Sequence, residues 1–175
     1  MKHLWAPWRM DYVTSARSDT CVLCRMAAET DAEDSHVLYR GQAAYVVLNR
    51  FPYNSGHLMV VPTRHLSDFT ALGGEELAEI MDLAQGCIEA LSQCLRPDGV
   101  NLGMNLGQAA GAGIDDHLHL HVIPRWAGDT NFISTVGETR VVPQSLDACA
   151  EQVGPVLRKI MATRTGASAT ECAEA

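Results

Sequence analysis

Apolar residues recur along this chain with two distinct periods, and the changes of period mark its elements. "HVLYR" (36–40) and "AAYVVLN" (43–49) are rich in β-branched and aromatic residues and flank Gly41-Gln42, which predicts a β-hairpin. "FPYNSG" (51–56) reads as a turn, and "HLMVVP" (57–62) as a third strand. From Gly73 to Leu95 the period lengthens. Leu77, Ile80, Met81, Ala84, Ile88, Leu91 and Leu95 trace one face, with Glu75, Glu76, Glu79, Asp82 and Glu89 on others, the pattern of an amphipathic helix. Pro97-Asp98-Gly99 ends it. "GVNLGMNL" (99–106) returns to strand, "GQAAGAG" (107–113) is a glycine-rich loop, and strict alternation predicts a strand over 117–123. A loop with Gly128-Asp129, a short strand around Thr139–Val142 and a helix from Gln144 to Met161 follow. Strands interrupted by one long helix and closed by another predict an α+β fold, an antiparallel sheet with helices on one face.

One domain over 1–162 accommodates these elements, with no internal repeat and no linker. Residues 1–20 carry Trp5, Pro7, Trp8 and Tyr12 without a clean period and read as an arm packing aromatics on the domain or on a second subunit. The Ala/Ser/Thr/Glu tail over 163–175 reads as disordered.

Composition narrows the function. The chain has 175 residues, 47% hydrophobic, and no apolar run long enough to span a membrane. "MKHLWAPWRMDYV" lacks the apolar core of a signal peptide, so a cytoplasmic protein is expected. A formal charge of −8 argues against a nucleic-acid backbone as partner. It does not exclude small anions, which backbone amides can hold. Six cysteines without a secretion signal argue against a disulfide framework.

The candidate chemistry lies in "DDHLHLHVIPRW" (115–126), where His117, His119 and His121 hold three of seven histidines. On a strand they share one face, while Leu118, Leu120 and Val122 enter the interior. Three imidazoles at period two admit two readings. They can chelate a metal, or one neutral imidazole can act as nucleophile with its neighbours fixing its tautomer. The upstream "NLGMNLGQAAGAGIDD" (101–116) places four glycines where backbone amides could approach a phosphate, which favours the second.

"HLHLHVI" fits the His-φ-His-φ-His-φ-φ signature, and the chain here resembles the histidine triad (HIT) superfamily of nucleotide hydrolases and transferases. The likeness extends through "LWAPWRMDYV", "AYVVLNRFPYNSGHLMVVPTRH", "NLGMNLGQAAGAG" and "IPRWAGDTNFI". It is strongest to the fragile-histidine-triad branch and, within it, to bacterial diadenosine tetraphosphate phosphorylases and hydrolases. The resemblance implies a HIT-like fold, a homodimer, and cleavage of dinucleoside polyphosphates at the α-phosphorus through a nucleotidyl-histidine, with phosphate or water as acceptor. It implies that His119 is the nucleophile and that His121 orients the site and contacts phosphate. Asn49 would bind ribose, Asn105 a phosphate, and Gly111 would offer its amide to the phosphates. Trp126 is a candidate for base stacking. Where several relatives carry Gln, Ser or Thr before the triad, this chain has Ala112 and Gly113, which leaves that contact to backbone amides.

Cys21 and Cys24 form a C-x-x-C pair that alone could be redox-active, metal-binding or accidental. A thiolate zinc site needs two further ligands, and His65 and one triad histidine are candidates. Similarity to zinc-binding HIT proteins and galactose-1-phosphate uridylyltransferases implies the set Cys21, Cys24, His65 and His117, a structural zinc, and no organic cofactor. Two rival readings stand beside this one: a nucleotide-binding scaffold with vestigial catalysis, and a catalytic metal held by the triad.

Overall fold

A computed structural model describes residues 21–29, 36–130 and 144–171. The arm at 1–20 and the short strand expected around 139–142 lie outside them. Five strands form one antiparallel sheet in the order β1-β2-β3-β5-β4: β1 Val37–Arg40, β2 Ala44–Leu48, β3 Leu58–Pro62, β4 Gly99–Gly103 and β5 Leu120–Arg125. Among the described residues three α-helices accompany it: α1 Val22–Ala28, α2 Gly74–Cys94 and α3 Leu146–Glu171. The fold is α+β, as the periods indicate.

The expected hairpin forms, with Gly41, Gln42 and Ala43 between its strands. Its exposed amides are gathered by α2: Glu79 accepts from Gln42 N–H (2.6 Å) and Ala43 N–H (2.5 Å). Strands β2 and β3 are buried along their whole length, because the sheet is covered on both faces. On one face Val46, Leu48, Leu58, Val60, Leu120 and Val122 meet α2 and α3 in the main core. On the other, Tyr45, Val47, Met59 and Val61 meet Leu23 of α1 in a smaller cluster.

Five features differ from the sequence reading. Helix α2 turns Ile80, Leu83, Ala84, Cys87, Ala90 and Leu91 inward, whereas Met81 is 49% exposed. At 100° per residue Met81 falls off the seam that Leu83 and Cys87 occupy. Strand β4 stops at Gly103, where the glycine-rich loop begins, and β5 starts at Leu120 rather than 117, since β4 offers partners only as far back as His121. Helix α3 overruns Met161 and the 162/163 boundary to Glu171. No proline follows Pro155 to stop it, and Arg164 ties it to Asp82 (2.8 Å) and Glu89 (2.6 Å) of α2. Finally, the C-x-x-C segment forms α1, which no periodicity had indicated.

The turn 49–56 shapes the site. Gly56 has φ +78°, a backbone sign that favours glycine, and a Cβ there would also crowd Leu95 Cδ1 at 2.5 Å. No described helix is long and apolar enough to cross a membrane.

Candidate functional site

The histidines occupy the face of the sheet opposite the long helices. His57 is 0%, His117 1%, His119 6% and His121 6% exposed. Leu118, Leu120 and Val122 enter the main core, so the alternation places the triad as its period requires. His57, immediately before β3, joins the three and was not singled out from the sequence.

His57, His117 and His119 each have a neighbour that can only donate or only accept, which sets the proton, and His57 in turn sets that of His121. Tyr53 N–H donates to His57 Nδ1 (3.1 Å), and the Asn49 amide lies 3.3 Å from the same atom. His57 Nδ1 is therefore bare and the proton sits on Nε2. That Nε2–H lies 2.9 Å from His121 Nδ1 and donates to it. His121 must then carry its own proton on Nε2, which is buried and has no partner among the described residues. His119 Nδ1 lies 2.9 Å from the His117 carbonyl oxygen, which can only accept. The proton is on Nδ1, and Nε2 keeps its lone pair. The His119 and His121 rings meet edge to face, centroids 4.8 Å apart. A bare nitrogen thus stands beside an unpartnered N–H donor.

Burial enforces neutrality. It pushes His57 down to about 3, reinforced by His121 and then His119, and pushes His121 down to about 4, reinforced by His119. A turn-and-loop clamp supports the relay. Asn54 donates both side-chain amide protons, to Pro124 O (3.0 Å) and Asp129 Oδ2 (2.8 Å), while its backbone carbonyl accepts from the His57 backbone N–H (3.2 Å). Asp129 also receives Arg125 Nε (2.6 Å) and Nη2 (2.8 Å), which hold its carboxyl well below the usual range. Neither Asn54 nor Asp129 was singled out beforehand.

His117 faces the other way. Its Nε2–H donates to Pro62 O (2.8 Å), leaving Nδ1 bare toward the thiols. Cys21 Sγ and Cys24 Sγ lie 3.4 and 3.5 Å from it, and Cys24 Sγ lies 3.2 Å from His65 Nδ1. All four donor atoms fall within 4.8 Å of one another. Tetrahedral zinc with ordinary bond lengths separates sulfur from nitrogen by about 3.6 Å. The donor set and its dimensions thus fit one ion with four protein ligands and no open position. Burial, and then Cys21, push the Cys24 thiol up, which is the cost of adjacent thiolates that a divalent cation offsets. The five described cysteines, Cys21, Cys24, Cys87, Cys94 and Cys149, are all free.

The remaining expected residues divide. Asn49, half-buried at the end of β2, touches His57 and belongs to the cluster. Asn105 reaches Gly111 O at 3.5 Å. Gly111 departs from expectation: its N–H is already donated to Gln108 O (2.9 Å), because Gln108–Ala110 closes a 3-10 turn that Gly111 caps at φ +85°. It fixes the loop rather than presenting a free amide. Trp126 follows β5, and its N–H is held by Asp129 at 3.2 Å. Among the described residues it makes no ring contact with the triad histidines, since five residues of extended chain, about 16 Å, separate it from His121.

Comparisons with known proteins agree with this geometry. The HIT domain family model matches residues 30–128, leaving Cys21 and Cys24 outside its span. A Mycobacterium tuberculosis protein named AP-4-A phosphorylase is 41% identical over 155 residues, covering 83% of this chain and 79% of its own. An uncharacterized HIT-like protein of Methanocaldococcus jannaschii is 33% identical over 127 residues, 70% of this chain and 91% of that one. Among solved structures, a Zn-bound histidine triad family protein from Mycobacterium smegmatis superposes with a TM-score of 0.67 at 26% identity, covering 82% of this chain and 97% of that one.

Proposed function

The chain belongs to the HIT domain family, and from that premise we propose that it cleaves dinucleoside polyphosphates of the diadenosine tetraphosphate type at the α-phosphorus. The observation that carries this reading is the bare His119 Nε2 beside the unpartnered His121 Nε2–H. His119 Nε2 attacks the α-phosphorus, the N–P bond forms, and the bridging P–O bond breaks with its electrons leaving on the distal phosphate. His121 Nε2–H donates to the oxygen on which charge develops, in a site from which water is largely excluded. In the second step phosphate or water attacks the same phosphorus, the N–P bond breaks, and His119 recovers its lone pair. The Nδ1–H bond to the His117 carbonyl holds His119 in register throughout. Asn49 binds ribose and Asn105 a phosphate oxygen.

Phosphate is the acceptor favoured by the 41% identical relative's name, AP-4-A phosphorylase. A structural zinc on Cys21, Cys24, His65 and His117 ties α1 to the catalytic strand and, with four protein ligands, supplies no water for chemistry. That assignment also commits His117 away from a triad-bound catalytic metal. The working form is a homodimer in the cytoplasm. Its basis is the exposed edge of β4, whose Leu102 and nearby Leu106 are 44% and 50% exposed.

Incubation with diadenosine tetraphosphate, with and without inorganic phosphate, tests the reaction. ATP and ADP formed only with phosphate is the expected outcome, and ATP with AMP would reassign the acceptor to water. His119→Asn should lower turnover at least about a thousandfold while nucleotide affinity changes little. A variant with near-normal rate would remove His119 from the nucleophile's role.

A further inference from the structure

The sheet face that carries the triad continues past His121 into an open cleft of about 140 Å³ walled by Tyr53, Asn54, Asn101, Ile123, Arg125 and Asp129. We propose that this cleft is the subsite for the second nucleoside of the substrate, and that Asn101 determines the preference for dinucleoside over mononucleoside polyphosphates. The proposal rests on the reading of the triad given above.

Direction is the first argument. Asn49 N–H bonds His57 O, Leu58 pairs with Val122, and Asn101 pairs with Ile123, so Asn49, His57, Ile123 and Asn101 form one row across β2, β3, β5 and β4. The row spans three strand spacings, about 14 Å. The ribose contact sits at its β2 end and the cleft at its β4 end, with the histidines beside its middle. A nucleotidyl group held at Asn49 and attacked by His119 therefore sends its leaving group past His121 toward Ile123 and Asn101. Tyr53 makes the connection continuous, its ring 4.7 Å from that of His57 and 5.9 Å from that of His121.

Charge and hydrogen-bonding capacity decide what the cleft accepts. Arg125 spends Nε and Nη2 on Asp129 and Nη1 on Asn101 Oδ1 (2.8 Å). Its charge is thus matched inside the cleft, and a phosphate arriving there would meet a neutralised guanidinium beside a carboxylate. A neutral ligand meets better terms. Asn101 Nδ2 is an uncommitted donor and Asn54 Oδ1 an uncommitted acceptor among the described residues, while Tyr53 and Ile123 supply apolar surface. An apolar wall with one donor and one acceptor suits a nucleoside, with its flat ring and polar edge.

Asn101 is exposed on the edge strand, so its substitution is tolerated by the fold. Asn101→Ala removes the donor, and Asn101→Phe fills the cleft. The probes are diadenosine tetraphosphate and adenosine 5′-tetraphosphate, which differ by the second nucleoside. Each variant should lower kcat/KM for the dinucleotide about tenfold, the size of one lost hydrogen bond to a bound ligand, and leave that for the mononucleotide within about twofold. Calorimetry of the same two ligands on His119→Asn protein reads the subsite without the chemistry. There the affinity advantage of the dinucleotide should disappear in the double variant His119→Asn, Asn101→Phe. An unchanged advantage, or equal losses for both ligands, overturns the subsite. Absence of turnover of either ligand by the wild-type protein, with the affinity difference intact, would instead overturn the triad reading and leave the subsite standing.

Discussion

The proton on each imidazole follows from partners far away in sequence: His57 meets His121 across 64 residues, and His117 meets Cys21 across 96. The triad itself is legible from period two. His57 was not, because a lone histidine at the start of an apolar strand carries no local mark, and only the β3–β5 register brings it to His121. Its burial has a measurable consequence. His57 and His121 are held neutral, near 3 and 4, against about 6.5 in an unfolded chain. A base whose folded pKa is lowered contributes stability that is fully present above the unfolded value. Below about pH 6.5 the unfolded chain takes up protons that the folded chain refuses, so stability falls with pH by up to about 1.4 kcal/mol per unit for each group. The fall flattens near pH 4, where the folded His121 begins to protonate. Urea midpoints between pH 7 and 5 should drop more steeply for the wild-type protein than for His57→Asn. Parallel slopes would show that these histidines do not drive the pH response.

Helix α1 shows why the metal ligands were legible while their support was not. The C-x-x-C spacing stands out, but seven residues, VLCRMAA, give no periodic signal, and the clamps on them come from β1 and β2. Tyr45 O–H donates to Leu23 O (2.7 Å), and Arg40 donates to Ala27 O (2.9 Å), Met26 O (2.8 Å) and Glu29 O. Leu23 is fully buried against Tyr45, Val47, Met59 and Val61. The cysteines are therefore held in place by packing as well as by any ion they ligate. Chelation should lower Tm by several degrees and make it depend on added zinc, yet leave turnover by the folded protein nearly unchanged. Tyr45→Phe, which strands a buried carbonyl, should cost about 1–2 kcal/mol whether or not metal is bound. Thermal melts with and without chelator, alongside metal analysis near one zinc per chain, check both statements. A Cys24→Ser protein that melts normally but has lost turnover would contradict a purely structural metal.

Across the whole molecule, hydrophobic period specified strands, the long helix and the sheet face that α2 and α3 cover, because those depend on which residues turn inward. It gave no sign of α1 on the opposite face. Register specified the site, and register depends on pairings that no window of sequence contains: Asn54 with Asp129 across 75 residues is an example. The same reasoning applies to the two edges of the sheet. The outer edge at β1 is guarded by α3, whose Arg158 donates to Leu38 O (3.1 Å). Among the described residues the edge at β4 pairs with β5 alone, and Leu102 and Leu106 stand exposed there. An unguarded edge bearing apolar side chains is a template for strand pairing, and a two-fold axis through it closes the assembly after two copies. Light scattering should therefore give twice the chain mass of 19.0 kDa, and Leu102→Lys should shift the protein toward the monomer, because a lysine and its two-fold mate would face each other across the axis. Wild-type protein at one chain mass at tens of micromolar would rule out this edge as the dimer seam. A dimer insensitive to Leu102→Lys would move the seam elsewhere.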